Sequence, residues 1–449
     1  MPYIPHTEAD RQAMLETIGL PSLEALFEDV PAQWRFPRLD LPPAASEMEI
    51  LDELKGLARK NRAVGPYAIF LGAGAYHHFV PSVVDHLASR GEFVTSYTPY
   101  QPEVSQGTLQ AMFEYQSMIA RLTGMEVANA SHYDGATAMA EAALMALSVA
   151  RGRRKKVLLS PAIHPQYRQV LRTYLPPDSD LAYVTGDEDL TVGLPDLIPQ
   201  IDQETACLII QNPNFFGELE DVDGLAEQVH AQGALLVVVS NPIISLGLLK
   251  PPGEYGADIV VAEGQSLGTG LNCGGPYLGI FATREEYVRR IPGRLVGETT
   301  DRKGRRGYVL TLTPREQHIR REKATSNICT NQSLIALRAA IYLAYMGKQG
   351  LRTVAELCYH KAHYAAREIA QLPGFTVTTV RPFFNEFRVR CPMPVSRLNQ
   401  FLLDKGILGG YDLGGDYPHM QREMLICATE MNTREQIDRL IVALQEASR

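Results

Sequence analysis

Apolar and polar positions follow two rhythms along this chain. Leu109, Met112, Phe113, Ile119 and Leu122 recur at helical spacing, and the stretch stops at Gly124, which predicts a glycine-capped helix. Asp134 precedes an alanine-rich stretch over 135–150, closed by Gly152, and predicts a second helix. The other rhythm is a series of short aliphatic runs at 157–160, 181–185, 207–211, 235–239, 258–262 and 278–282. Helix-sized segments separate them. Runs of that kind are strands buried on both faces, so the pattern predicts an α/β fold with a mainly parallel sheet between helices. An eight-stranded α/β barrel is the rival, but the long helices ahead of Val157 do not fit its regular repeat.

The ends differ from this middle. Residues 1–62 read as short helices separated by proline, with starts at Thr7 (Asp10 three residues on) and at Pro21-Ser22. Pro37, Pro42 and Pro43 enforce an extended link before a helix over 47–60. Such an arm buries little alone and is expected to wrap another part of the molecule or a partner chain. Beyond Pro314, helical stretches at 333–346 and 351–372 lead into strand-like 386–390 and 424–428, a helix near 396–405 between them, and a last helix from Thr433. The expected division is an N-terminal helical arm (1–62), a large domain (63–312) and a smaller α+β C-terminal domain (313–449).

Composition narrows the function classes. With 449 residues, 43 Lys+Arg and 51 Asp+Glu, the formal charge is −8, which argues against a nucleic-acid or anionic-membrane partner. The six cysteines lie far apart with no CxxC pair, so buried reduced thiols in a cytoplasmic protein are expected, Cys329 included. The N-terminus lacks the charged and apolar regions of a signal peptide. The most apolar stretch, 234–249, is broken by Ser240, Asn241 and Pro242 and falls short of a membrane span.

Several motifs invite chemistry. Gly72-Ala73-Gly74 is only a fragment of a dinucleotide fingerprint. Gly264-Gln265-Ser266-Leu267-Gly268 matches a nucleophile elbow in letters, but glycine-rich sequence follows where a helix should, so a loop is expected. The stretch 97–107, YTPYQPEVSQG, gathers two tyrosines, two prolines and several polar side chains ahead of a helix, with Ser105 as its candidate N-cap. The stretch 129–137, NASHYDGAT, puts small and hydroxyl residues at a helix N-terminus, either as an anion cup or as a cap with close packing. Arg302-Lys303-Gly304-Arg305-Arg306 reads as a solvated loop beside Asp301, with contact to a partner as the alternative.

Taken in order, YTPYQPEVSQG, YQSMIARLTGMEVANASHYDGATAMAEA, QNPNFFGELED, GADIVVAEGQSLG and SNICTNQ resemble the glycine cleavage system P-protein family, over nearly the whole chain. The length resembles the N-terminal half-protein, subunit 1, of bacteria that split the enzyme. The resemblance implies the aspartate-aminotransferase-like fold type I of pyridoxal-phosphate (PLP) enzymes. It implies glycine decarboxylation with transfer of the aminomethyl group to the lipoamide of H-protein. The implied partners are P-protein subunit 2 in an α2β2 assembly and H-protein, with T-protein and L-protein in the wider system.

In the catalytic half of that family the PLP lysine sits in a His-Lys pair just after the strand matched here by 258–262. This chain reads Gln265-Ser266 there, and Ser240-Asn241 where the acidic partner of the pyridine nitrogen is expected. Between Gly224 and Gly293 the only lysine is Lys250, followed by Pro251-Pro252. The resemblance therefore implies PLP on the partner subunit, and no catalytic residue in this chain alone. A degenerate cofactor site is expected at Ser131, Asp134, Gly135, Thr137, Asn212, Ser240, Gln265 and Ser266. Support of the partner's glycine site is expected from Tyr97, Thr98, Tyr100, Gln101, Glu103, Ser105, Gln106, Ser326, Asn327, Thr330 and Asn331. The alternatives are a structural or regulatory pseudoenzyme subunit contributing no active-site residue, and an independent PLP enzyme using Lys250.

Overall fold

The computed structural model describes residues 5–448 except 62–64, 66, 96, 177–179, 184–193, 273, 314–316 and 325. The chain falls into two compact units, 1–63 and 64–449. In the first, Glu8–Ile18 and Glu47–Ala58 are helices with reciprocal caps from Thr7 with Asp10 and from Ser46 with Glu49. Leu15 is the one buried large apolar side chain described there, whereas Trp34, Leu39, Leu41 and Met48 are each about 70% exposed.

In the second unit a seven-stranded sheet is built from β1 (Val127–Ala128), β2 (Lys156–Leu159), β3 (Asp180–Tyr183), β4 (Thr205–Gln211), β5 (Leu235–Val239), β6 (Ile259–Glu263) and β7 (Gly279–Thr283). Their order is β1-β7-β6-β5-β4-β2-β3; the five strands β6 to β3 run parallel, and β7 is antiparallel to both neighbours. The expected parallel sheet is thus present, with strand ends displaced by one or two residues. Leu158, Leu208, Leu236 and Val260 enter one apolar cluster, while Val157, Ile209, Val237 and Val261 enter another on the opposite face. Burial on both faces explains why these strands read as continuous apolar runs.

Helix α1 (Gln106–Thr123) ends at Gly124 in the left-handed conformation, and α2 (Gly135–Val149) is capped by Asp134. Ala138, Ala142 and Ala146 of α2 are fully buried, so small side chains let the helix lie close on the sheet. Three features differ from the sequence expectation. A hairpin, β8 (Leu295–Thr300) with β9 (Arg306–Thr311), follows the sheet. The two helical stretches after residue 333 are one element, α3 (Ser333–Ile369), interrupted at Gly347 (φ 60°, ψ −177°). Ser105 precedes α1 but makes no side-chain cap. A four-stranded antiparallel sheet in the order Thr376–Val377, Glu386–Arg390, Glu423–Cys427, Tyr411–Asp412 lies in the C-terminal part. Among the described residues no helix is long and apolar enough to cross a membrane.

Candidate functional site

The C-terminal ends of β5 and β6 face the N-terminus of α2, where a parallel sheet ordinarily binds ligands. Here the chain's own side chains fill the place. Glu263, the last residue of β6, accepts from the backbone N–H of Gly135 (2.9 Å) through Oε2, and from Gln265 N and Leu278 N (2.9 Å each) through Oε1. Asp134 accepts from Thr137 N at 2.8 Å. Two carboxylates therefore take N–H groups that would otherwise greet an anion, and the cap reading of this stretch holds over the open cup. Burial pushes the Glu263 carboxyl up to about 8, against the three N–H donors that pull it down.

The lysine place is equally committed. Gln265 is buried; its Oε1 accepts from Tyr76 N (3.0 Å), and its Nε2 donates to Tyr76 O (3.0 Å) and Thr269 O (2.7 Å). The stretch after β6 is a turn with no helix behind Ser266, so the loop reading holds over the nucleophile elbow, and Ser266 is buried in it. At the end of β5, Ser240 Oγ and both amide atoms of Asn241 are buried without a protein partner among the described residues. Asn212, at the end of β4, is turned to other work, its Oδ1 accepting from Glu220 N. Lys250 is solvent-exposed in the loop before β6. An internal PLP needs an anion cup, a lysine and an acid for its ring nitrogen; here Glu263 and Asp134 take N–H groups at the N-terminus of α2, and the positions where the resemblance implied a lysine and an acid hold Gln265 and Ser240-Asn241. This chain's own residues do not fit the cofactor.

A second cluster is intact, and its centre is a residue the sequence reading missed. Arg294, 4% exposed at the start of the hairpin, donates through Nη2 to Cys329 O (2.9 Å) and Tyr100 Oη (3.3 Å). Through Nη1 it donates to Asn331 Oδ1 (3.1 Å) and Thr330 Oγ1 (3.3 Å). It has no carboxylate partner among the described residues, and its Nε is buried without a bond. Asn331 continues the network to Ala130 O (2.9 Å), and Ser131 Oγ accepts from Gln332 N (3.1 Å). Ser131 itself has φ 124°, a strained value for a residue with a side chain. Arg294 thus ties together the Tyr97–Gly107 loop, the Ser326–Gln332 segment and the turn before α2. Only its place after Pro292-Gly293 marked it in the sequence, and nothing there distinguishes a buried arginine from a surface one.

The remaining expected residues divide between two pockets. Tyr97, 86% exposed, lines a pocket of about 410 Å³ with Thr108, Thr330, Asn331 and Gln332. Ser326 and Asn327 line a different one of about 490 Å³ with Tyr174, Gln317 and Arg321. The structure therefore does not bring all the SNICTNQ residues to one place. Gln106 is structural: it bonds Tyr308 through both N–H and C=O and holds the hairpin (2.9 and 2.8 Å). Thr98 is half-buried, its hydroxyl without a partner among the described residues, Gln101 and Glu103 are exposed, and Ser105 is half-buried. Cys329 is exposed, contrary to the buried thiol expected, while Cys207, Cys358, Cys391 and Cys427 are buried; Cys273 lies outside the described residues.

Residues 1–444 match the family model for the glycine cleavage system P-protein. The chain belongs to that family. Across its whole length this P-protein homologue is 58% identical to a relative from Thermomicrobium roseum, itself fully covered, named "Probable glycine dehydrogenase (decarboxylating) subunit 1". It is also similar to a crystal structure of glycine decarboxylase (P-protein) of the glycine cleavage system in inhibitor-bound form. That match has 45% identity and a TM-score of 0.89, over 99% of this chain and all of the other. At the level of fold alone it matches alanine–glyoxylate aminotransferase from Nostoc sp., with 18% identity, a TM-score of 0.58, and coverage of 86% and 97%. The fold is that of the PLP-dependent fold type I enzymes, as the resemblance implied.

Proposed function

We propose that this P-protein homologue is the cofactor-free subunit of a glycine dehydrogenase (decarboxylating), and that it shapes the glycine site of a PLP-bearing partner subunit. One observation carries the reading. The chain's own cofactor place is filled by Glu263 and Gln265, while the face around Arg294 stays built and partly open. A purely structural subunit would have no use for an uncompensated buried cation beneath exposed phenols, since burying such a charge is costly.

In this reading PLP on the partner supplies the electron sink for loss of CO2 from glycine, and the aminomethyl group passes to the lipoamide of H-protein. This chain binds and orients. Tyr97 and Tyr100 offer phenol groups that can hold a carboxylate or an amide. Arg294 fixes Tyr100 at its hydroxyl and sets Thr330 and Asn331 along the same wall. The assembly is two copies of each subunit, in the cytoplasm, with the apolar arm of residues 1–62 on a partner chain.

The test is glycine–CO2 exchange by the reconstituted complex. Tyr100→Phe and Tyr97→Phe subunits should assemble normally, and exchange should fall roughly threefold or more for each, the scale of one lost hydrogen bond. If both assemble and exchange at the unmodified rate, the chain is a structural subunit and contributes no side chain to the site.

A further inference from the structure

Three ligand-type side chains from distant parts of the sequence meet in the interior, and neither cluster described above uses them. His78, Cys358 on α3 and Glu430 offer a ring nitrogen, a thiol and a carboxylate whose ligand atoms all lie within 4.8 Å of one another. Glu430 Oε2 is the hub: His78 Nδ1 lies 2.7 Å from it, and Cys358 Sγ donates to it at 3.4 Å. The other carboxylate oxygen accepts from Phe79 N at 2.7 Å, and Lys361 donates to the Glu430 backbone oxygen. The carboxylate is therefore held in place from several sides. The His78 and Glu430 side chains are 2% and 9% exposed, and Cys358 is fully buried.

Packing alone does not explain the cluster. Ala355 and Ala362 on the same helix are as buried as Cys358 and fill their space with a methyl group. Two buried polar atoms here, His78 Nε2 and Tyr342 Oη, have no partner among the described residues. Tyr342 belongs to the same spot: after burial, the Glu430 carboxylate and Cys358 are what raise its phenol. Buried polar atoms are ordinarily satisfied by protein, water or an ion.

We infer that His78 Nδ1, Cys358 Sγ and Glu430 Oε2 form a binding site for a zinc ion, which fastens the loop at residue 78, helix α3 and the segment after the C-terminal sheet to one another. A donor set of nitrogen, sulfur and oxygen suits zinc, whereas magnesium and calcium take oxygen ligands. The charges also close. One thiolate and one carboxylate neutralise the divalent ion, and a neutral imidazole adds nothing, so no net charge is left in the interior. A tetrahedral zinc spaces its nitrogen and oxygen ligands by about 3.3 Å, and its sulfur and oxygen ligands by about 3.6 Å. The observed 2.7 and 3.4 Å need to open by only roughly 0.6 and 0.2 Å. A water as fourth ligand would give Tyr342 Oη the partner it lacks. Burial keeps the Cys358 thiol protonated without metal, so binding sends that proton to solvent and affinity rises with pH.

The experiment uses the untagged full-length chain, stripped with a chelator and titrated with Co²⁺ as the probe and Zn²⁺ as its competitor. One cobalt per chain should bind, with a thiolate-to-cobalt charge-transfer band in the near ultraviolet that zinc abolishes. Zinc at about 100-fold over its Kd should raise Tm by about 3 °C or more. Cys358→Ser should remove the band, and Glu430→Gln, which keeps the size of the side chain, should weaken zinc binding about tenfold or more. Cys329→Ser, which removes the exposed thiol, should leave both unchanged. X-ray absorption of the zinc-loaded unmodified chain needs no variant to fold: it should show a single sulfur at about 2.3 Å, with nitrogen and oxygen for the rest. The absence of a band in the unmodified chain overturns the proposal. So does a band that survives Cys358→Ser, or a zinc sphere with no sulfur or with two.

Discussion

At Gly135 a single methyl group would lie 2.3 Å from Tyr167 Oη and 3.0 Å from Glu263 N. Tyr167 is buried and cannot swing away. Gly135→Ala should therefore cost about 1–3 kcal/mol, seen as a lower urea midpoint. Gln265→Ala leaves three backbone groups unpaired in a buried site and should cost about 2 kcal/mol or more by the same measurement. Titration adds a third outcome. Burial raises Glu141 to about 7, Glu386 to about 7 and Glu263 to about 8, each above an unfolded value near 4.5. The folded state then binds more protons than the unfolded one, so these groups stabilise fully at low pH and lose that contribution as pH rises to about 8. The buried histidines His132 and His164, whose values burial lowers, act in the opposite sense only below about 6.5. Stability should fall between pH 6.5 and 8. Glu141→Gln removes one of these titrating carboxyls and should flatten the slope.

At the scale of elements, legibility followed burial. The runs at 207–211 and 235–239 were readable because both faces of the sheet are covered, and Asp134 because a cap leaves a local signature. The β8–β9 hairpin was not, since its residues are partly exposed and mix glycine, threonine and charge. The unity of α3 was hidden because Gly347 breaks the helix in a conformation almost closed to other residues. A Cβ at Gly347 would meet nothing within 4 Å, so Gly347→Ala tests backbone strain alone. It should lower stability by about 1–3 kcal/mol without changing the far-UV circular dichroism.

Across the whole molecule, Gln265 and Ser240 could be read from the sequence, but the contacts that hold the place between β6 and α2 could not. That Glu263 occupies the N-terminus of α2 depends on a contact between residues 128 positions apart, which no local pattern encodes. Arg294 stayed hidden for the same reason, since its partners lie 194 and 35 to 37 positions away. The arm exposes several large apolar side chains, Trp34, Leu39, Leu41 and Met48 among them. A subunit lacking residues 1–60 should therefore fail to assemble with its partner, read as separate peaks by light scattering after size exclusion.

The central claim is that this chain holds no cofactor of its own because Glu263 and Gln265 occupy the place. Borohydride reduction of the glycine-competent complex, followed by peptide mapping, tests it most directly. The account predicts pyridoxyl label on a lysine peptide of the partner and none on any peptide of this chain; a labelled peptide containing Lys250, or any other lysine of this chain, would contradict it.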